Sequence, residues 1–346
     1  MWLRGLAKSG LDSALNLGLP VWRRWCRSRL ILCYHRAYSA THLPAFRDPI
    51  TCICRERLTR QLEWLATFVE FTSLDDLIDG PENQPGHKWQ VAVTFDDGYA
   101  DTFEIALPVL RDLGIPATVF VATDFCDYPE RIPWWDVATI VSQQRNGELV
   151  VRQADLLGGG TGADTERGAA TKVDCSRPTD RHWLVNRLAR SGRRTGYSPL
   201  AASVARQLHD RGACPAHNAF ARPSEVVAAA QTPGVSIGVH TATHPVLATL
   251  PAGEQRCEIT HARERIAAWG APVAPWFAYP FGHAKSFCDT TVDILRAEGF
   301  AGALTTMPGT LTPRQSRYAL PRLDVDARWT EQRFRARVAV AALAPH

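Results

Sequence analysis

Apolar and polar positions along this chain follow two periods that take turns. Leu30–Tyr34 is a continuous apolar run of strand length. Arg55–Phe68 instead spaces Leu58, Leu62, Leu65 and Phe68 as one buried helical face. Gln90–Phe95 is a short β-branched run ending at Asp96-Asp97-Gly98, which predicts a strand running into a turn. Asp101–Leu113 predicts a helix stopped by Gly114, and Ala117–Ala122 another strand. The alternation returns with strands at Val235–Val239 and Ala274–Tyr279 and helices at Gly253–Trp269 and near Val292–Ala297. Two further strands fall near Gly302–Thr305 and Leu320–Val325, and Glu331–Leu343 reads as a terminal helix.

Between about residues 124 and 233 this order is lost. Helical stretches at Trp134–Gln144, Arg181–Ala189, Leu200–Arg211 and Ser224–Ala230 surround a glycine-rich patch at Gly158–Gly162. The pattern predicts a helical insertion between two strands of the main fold. Repeated strand–helix units imply a parallel sheet, so the expected class is α/β: a distorted (β/α) barrel of about seven strands. The expected division is an amphipathic, basic segment at 1–29 and one domain at 30–346 that carries the insertion. Chemistry in such folds sits at the C-terminal ends of the strands.

Composition narrows the partners. The 346 residues are 45% hydrophobic, enough for one large core, and the net charge is only +4. That balance gives no reason to expect a nucleic acid. Arg23, Arg24, Arg27 and Arg29 interleave with Trp22 and Trp25, so a peripheral membrane contact is open beside a solvated lead-in. No run reaches the roughly 18 apolar residues of a spanning helix. The amphipathic start is broken by Lys8, Ser9, Gly10 and Asp12 and does not read as a secretory signal. The expected location is the cytoplasm, with any membrane contact peripheral and at the inner membrane. Nine scattered cysteines without a CxxC pair indicate neither a zinc ribbon nor a disulfide framework.

Two segments carry candidate chemistry. Asp96 and Asp97 stand together at a predicted strand end, followed by Gly98. Adjacent carboxylates are costly unless a cation neutralises one, leaving the other free to accept a proton. Taken alone the pair also fits a solvated Asp-Gly turn. His240 and His244 follow another predicted strand and share a face if the turn between them is helical. One carboxylate with two imidazoles is a frequent catalytic metal set, and the joint occurrence of both motifs favours a metal.

These residues carry a resemblance. Thr94–Tyr99 (TFDDGY) and His240–Pro245 (HTATHP) resemble the first two motifs of the polysaccharide deacetylase (NodB-homology) family of carbohydrate esterases. Ile115–Phe120 resembles the strand after the first motif, and Phe277–Gly282 the third motif, which walls the substrate groove. Leu30–Arg36 resembles the N-terminal Tyr-His segment of the branch that includes poly-N-acetylglucosamine deacetylases. The resemblance implies Asp96 as base, and Asp97, His240 and His244 as ligands of a divalent metal, with zinc the expected ion. It implies hydrolysis of N-acetyl groups on amino sugars of a polysaccharide or glycan precursor, with release of acetate. A metal hydrolase of another non-peptide C–N bond and a non-catalytic carbohydrate-binding relative are the alternatives.

Two departures stand out. The third motif usually holds an arginine that orients the base, but here the stretch reads Trp276-Phe277-Ala278. Arg322 could replace it, or be a surface ion pair. The usual acid histidine near the C-terminus is missing, since only His346 follows His283. His35, in the Tyr-His segment, is then the expected acid, with His283 the second choice. Tyr99, Tyr279, Pro280, Gly282 and Arg322 are expected to face the substrate, and Trp134 and Trp135 to be either sugar platforms or packing.

Overall fold

Burial runs through whole strands here rather than through alternate residues. In β1 (Arg29–Tyr34) every residue after the first is buried. The short β2 (Arg36–Tyr38) and β3 (Cys52–Cys54) pair parallel with each other as a separate two-stranded sheet. β4 (Val69–Phe71) and β5 (Trp89–Phe95) follow, then β6 (Ala117–Val121), buried throughout. β7 (Glu148–Val151) and β8 (Thr171–Asp174) form a separate antiparallel pair. β9 (Val235–Val239), β10 (Val273–Ala278), β11 (Gly302–Leu304) and β12 (Leu323–Asp324) complete the set. Such runs are the mark of a parallel sheet covered on both faces. The molecule is a computed structural model that describes residues 29–41, 47–80, 89–152, 155 and 170–343. The basic segment through residue 28, with its expected membrane contact, the Gly158–Gly162 patch and His346 lie outside the described residues.

The main sheet is all parallel in the order β11-β10-β9-β6-β5-β1-β12, with β4 on the first residues of β5. It curls into the expected distorted barrel. Leu323 pairs with Leu32 of β1, while Leu320 makes a parallel bridge to Leu304 of β11, so the segment 320–324 spans the gap between the two ends. Side chains alternate between two separate cores. Ile31, Ala92, Phe120, Trp276, Ala278 and Leu304 fill the barrel, and Leu74 and Leu77 of the helix Leu74–Asp79 join them. Leu32, Val93, Val119, Val239 and Phe277 face outward against the helices. Gly238 leaves room inside the barrel for the Phe120 ring.

The insertion expected to be helical carries a pair of short strands beside its helices. Helices Trp134–Gln143, Pro178–Thr195 and Pro199–His209 pack with the β7–β8 pair around their own core, which includes Leu149, Val173, Leu184, Leu188 and Val204. The helix Pro223–Ala230 belongs instead to the main core through Val226. Among the described residues no helix is long and apolar enough to cross a membrane.

Candidate active site and metal centre

The parallel register brings the ends of β1, β5, β6 and β9 to one rim, with Tyr34 beside Phe95, Phe95 beside Val119, and Val121 beside Val239. The next residues are His35, Asp96 and His240. Asp97 turns at φ 74, and its carbonyl accepts from Ala122. His240 donates from Nδ1 to the Ala278 carbonyl at 2.7 Å, which leaves Nε2 free and 3.5 Å from Asp97 Oδ1. His244 Nε2 reaches the same oxygen at 3.4 Å.

The two histidines do not sit on a helical turn. They converge through a loop in which Thr241 (φ 66) and His244 (φ 63) are both left-handed. Thr241 Oγ1 accepts from the His244 N–H at 2.9 Å. Glu258, from the helix Ala252–Trp269, clamps the loop by accepting from the N–H groups of Ala242 and Thr243 and from the Thr243 hydroxyl. Among the described residues the non-glycine positions with positive φ are Asp97, Thr241, His244 and Phe281, and all four surround this cluster. Such backbone costs on the order of 1–3 kcal/mol per residue and concentrates where function requires it.

The donor set fits a divalent metal. One ligand atom from each of Asp97, His240 and His244 lies within 4.8 Å of the others. Burial and the neighbouring His240 push His244 down to about 3, so its imidazole is neutral, as a ligand must be. Burial alone would raise Asp97, but the facing histidines outweigh it and lower its pKa.

Asp96 sits beside this set in a different environment. Arg322 Nη1 and Nη2 each approach one of its oxygens at 2.7 Å, and both side chains are buried. Arg322 is fixed in turn by the Thr305 carbonyl at 2.8 Å and the Thr94 hydroxyl at 3.1 Å. Burial would raise Asp96; Arg322 and the nearby histidines outweigh it and hold the carboxyl well below the usual range. Cys33 lies beneath at 3.5 Å from Asp96 Oδ2. Cys33, His35 and Asp96 are also grouped within 4.8 Å, but the Arg322 guanidinium already fills the cation position on Asp96. His35 reaches the same mouth, with Nδ1 4.0 Å from Asp324 and, among the described residues, without a hydrogen-bond partner.

Several expected substrate contacts need correction. Tyr99 is buried, its ring against Phe220 and its hydroxyl donating to Asp136 and accepting from Trp135. Tyr279 follows inward-facing Ala278, so alternation turns it outward; it stacks on Phe287 at 4.0 Å and donates to the Tyr318 carbonyl. Pro280 is buried. Gly282 (φ 63) is a packing position, since a side chain there would meet the Thr306 backbone. Arg322 touches Asp96 rather than the open mouth, and His283 is exposed with its Nδ1 accepting from Lys285 N–H. Trp134 is buried in the insertion core. Residues not singled out from the pattern are Glu258, Asp136 and Phe281, whose ring lies 4.9 Å from His244. Only Phe281 had a signal, its place inside the third motif.

A model of the polysaccharide deacetylase family matches residues 83–145 and 205–303. The matched stretches contain Asp96, Asp97, His240 and His244; the gap falls on the insertion, and His35 and Arg322 lie outside. The fold is similar to the Streptococcus pyogenes deacetylase PplD in complex with acetate (TM-score 0.55, 15% identity, 92% of this chain and 100% of that one). It is also similar to IcaB from Ammonifex degensii (0.51, 21%, 92% and 98%). A third similar structure is a de-N-acetylase from Aggregatibacter actinomycetemcomitans (0.52, 14%, 87% and 96%). At these identities the likeness is one of fold. No curated protein matches the sequence.

Proposed function

This chain belongs to the polysaccharide deacetylase family, and from that premise we propose that it hydrolyses N-acetyl groups on amino sugars of a glycan, releasing acetate. The observation that carries the reading is the pairing of two unlike carboxylates: Asp97 facing two imidazoles, and Asp96 locked to Arg322 beside it.

Asp97, His240 and His244 are the residues that would hold a divalent metal. The chemistry a bound metal supplies is Lewis acidity toward a carbonyl oxygen and a water molecule, with zinc the expected ion. Asp96 takes a proton from the attacking water. Arg322 keeps it ionised and aimed. The Gly98 N–H is spent on the Asp96 carbonyl, so the adjacent Tyr99 N–H is the backbone donor proposed for the oxyanion. His35 donates a proton to the departing amine as the C–N bond breaks. Burial disfavours its charged form, but Asp97, Asp324 and Asp96 outweigh burial and raise its pKa, which suits an acid. The products are acetate and a free amino sugar.

Acetate release from an N-acetylated glucosamine oligosaccharide tests this. Asp96→Asn should lose nearly all turnover and keep its metal; His240→Ala should lose the metal. Full activity in Asp96→Asn, or unchanged metal content in His240→Ala, would overturn the respective assignment.

A further inference from the structure

The two histidines of the metal centre are oriented in different ways. His240 has the usual device, an outer N–H bound to a carbonyl. The outer nitrogen of His244 is buried and has no hydrogen-bond partner among the described residues. What touches the ring is aromatic. Trp135 lies 4.6 Å away between centroids and Phe281 4.9 Å.

Trp135 is itself restrained. Its Nε1–H donates to the Tyr99 hydroxyl at 2.7 Å, and that hydroxyl donates to Asp136 Oδ1 at 2.9 Å. The Tyr99 ring is held between Phe220 and the Arg36 guanidinium, each 4.2 Å away, and Arg36 is paired with Asp101. Tyr99 stands two residues after Asp97. One line of contacts therefore leaves the turn of the carboxylate ligand, passes through Tyr99 and Trp135, and returns to the imidazole ligand.

We propose that Trp135, oriented by Tyr99 and Asp136, is a positioning residue that sets the His244 ring so that Nε2 faces the Asp97 oxygen. It does by packing what the Ala278 carbonyl does for His240 by a hydrogen bond. Trp135 sits on the first helix of the insertion, next to Trp134, which is packed into that unit's core against Gly192. The insertion is thereby part of the metal centre, and metal affinity depends on how it packs. This inference rests on the metal-centre reading above.

The test is cobalt(II) binding to the full chain, read by chelator competition and by the visible spectrum of the cobalt-loaded protein. Trp135→Ala should weaken binding by about 10–100-fold, as loss of an orienting partner does, and change the spectrum. Trp135→Phe keeps a ring but loses the N–H and should fall between. Tyr99→Phe frees the indole N–H while keeping the ring packed, and should shift affinity and spectrum the same way by a smaller factor. If Trp135→Ala fails to fold, the two conservative variants decide. Wild-type affinity and spectrum in Trp135→Phe and Tyr99→Phe would overturn the proposal. A wild-type chain that takes up no cobalt or zinc would instead overturn the metal centre, and this proposal with it.

Discussion

Arg322 holds Asp96 with both terminal nitrogens at 2.7 Å, and the side chains are 0% and 3% exposed. A charge pair this deep is retained only with its geometry satisfied, because each ion has lost its water. Arg322 comes from the segment that spans the gap between β11 and β1. The residue proposed to aim Asp96 as the base is thus part of the element that brings the two ends of the sheet together.

Loss of that pair should separate function from stability. Arg322→Lys keeps the charge but not the two-pronged contact, and kcat for acetate release should fall about 100-fold with metal content unchanged. Arg322→Ala leaves a buried carboxylate without its partner and should destabilise the fold by about 3–5 kcal/mol. Steady-state kinetics and denaturant unfolding of both variants check this.

The acid assignment predicts a pH limb. His35 must be protonated to act, so activity is present below its pKa and lost as pH rises through it. Asp97, Asp324 and Asp96 place that pKa above the ordinary 6.5 despite burial. The pH profile of kcat/KM should fall on the alkaline side, and His35→Gln should lower the rate by about 10²–10⁴-fold and remove that limb. An unchanged limb in the variant would move the role elsewhere.

The barrel and its rim were legible because parallel strands buried on both faces read as unbroken apolar runs, and Asp96 and His240 directly follow two of them. What failed depended on contacts distant in sequence. Tyr279 lies one residue past Ala278, and only the built sheet shows that this step turns it from the barrel to the outer core. The His240–His244 spacing suggested a helical turn, but Glu258 and the left-handed Thr241 and His244 impose a loop. β7 and β8 are four residues each, too short to show a period, and they pair across residues 152–170. Arg322 was legible as a substitute for the missing motif arginine, but not its full burial.

Asp136 gives a stability prediction with a definite sign. Burial raises its carboxyl to about 7, against the opposing pull of Arg36 and the Tyr99 hydrogen bond. An unfolded aspartate titrates near 3.9. Between those values the folded chain binds more protons than the unfolded one, so stability falls as pH rises from about 4 to 7 and then levels. The loss is at most about 4 kcal/mol. Asp136→Asn keeps an oxygen for the Tyr99 hydroxyl and should remove this slope. Denaturant unfolding at pH 5 and pH 8 would show a smaller difference for the variant; an identical difference would rule out Asp136 as its source.

Gly196 offers a way to press on the proposed metal-binding loop from outside. It ends the helix Pro178–Thr195 at φ 65, and a Cβ there would collide with the carbonyl and hydroxyl of Thr243. Thr243 stands between the two histidines and is tied to Glu258. Gly196→Ala therefore has two effects: an alanine held at positive φ, costing on the order of 1–3 kcal/mol, and displacement of the loop that carries His244. Gly212 is the control. It lies in the same insertion at φ 70 with nothing within 4 Å of an added Cβ. Gly212→Ala should lose a similar amount of stability and bind metal as the wild type does. Gly196→Ala should lose more stability and also bind metal more weakly. Equal metal affinity in the two variants would mean that Gly196 serves only the helix end.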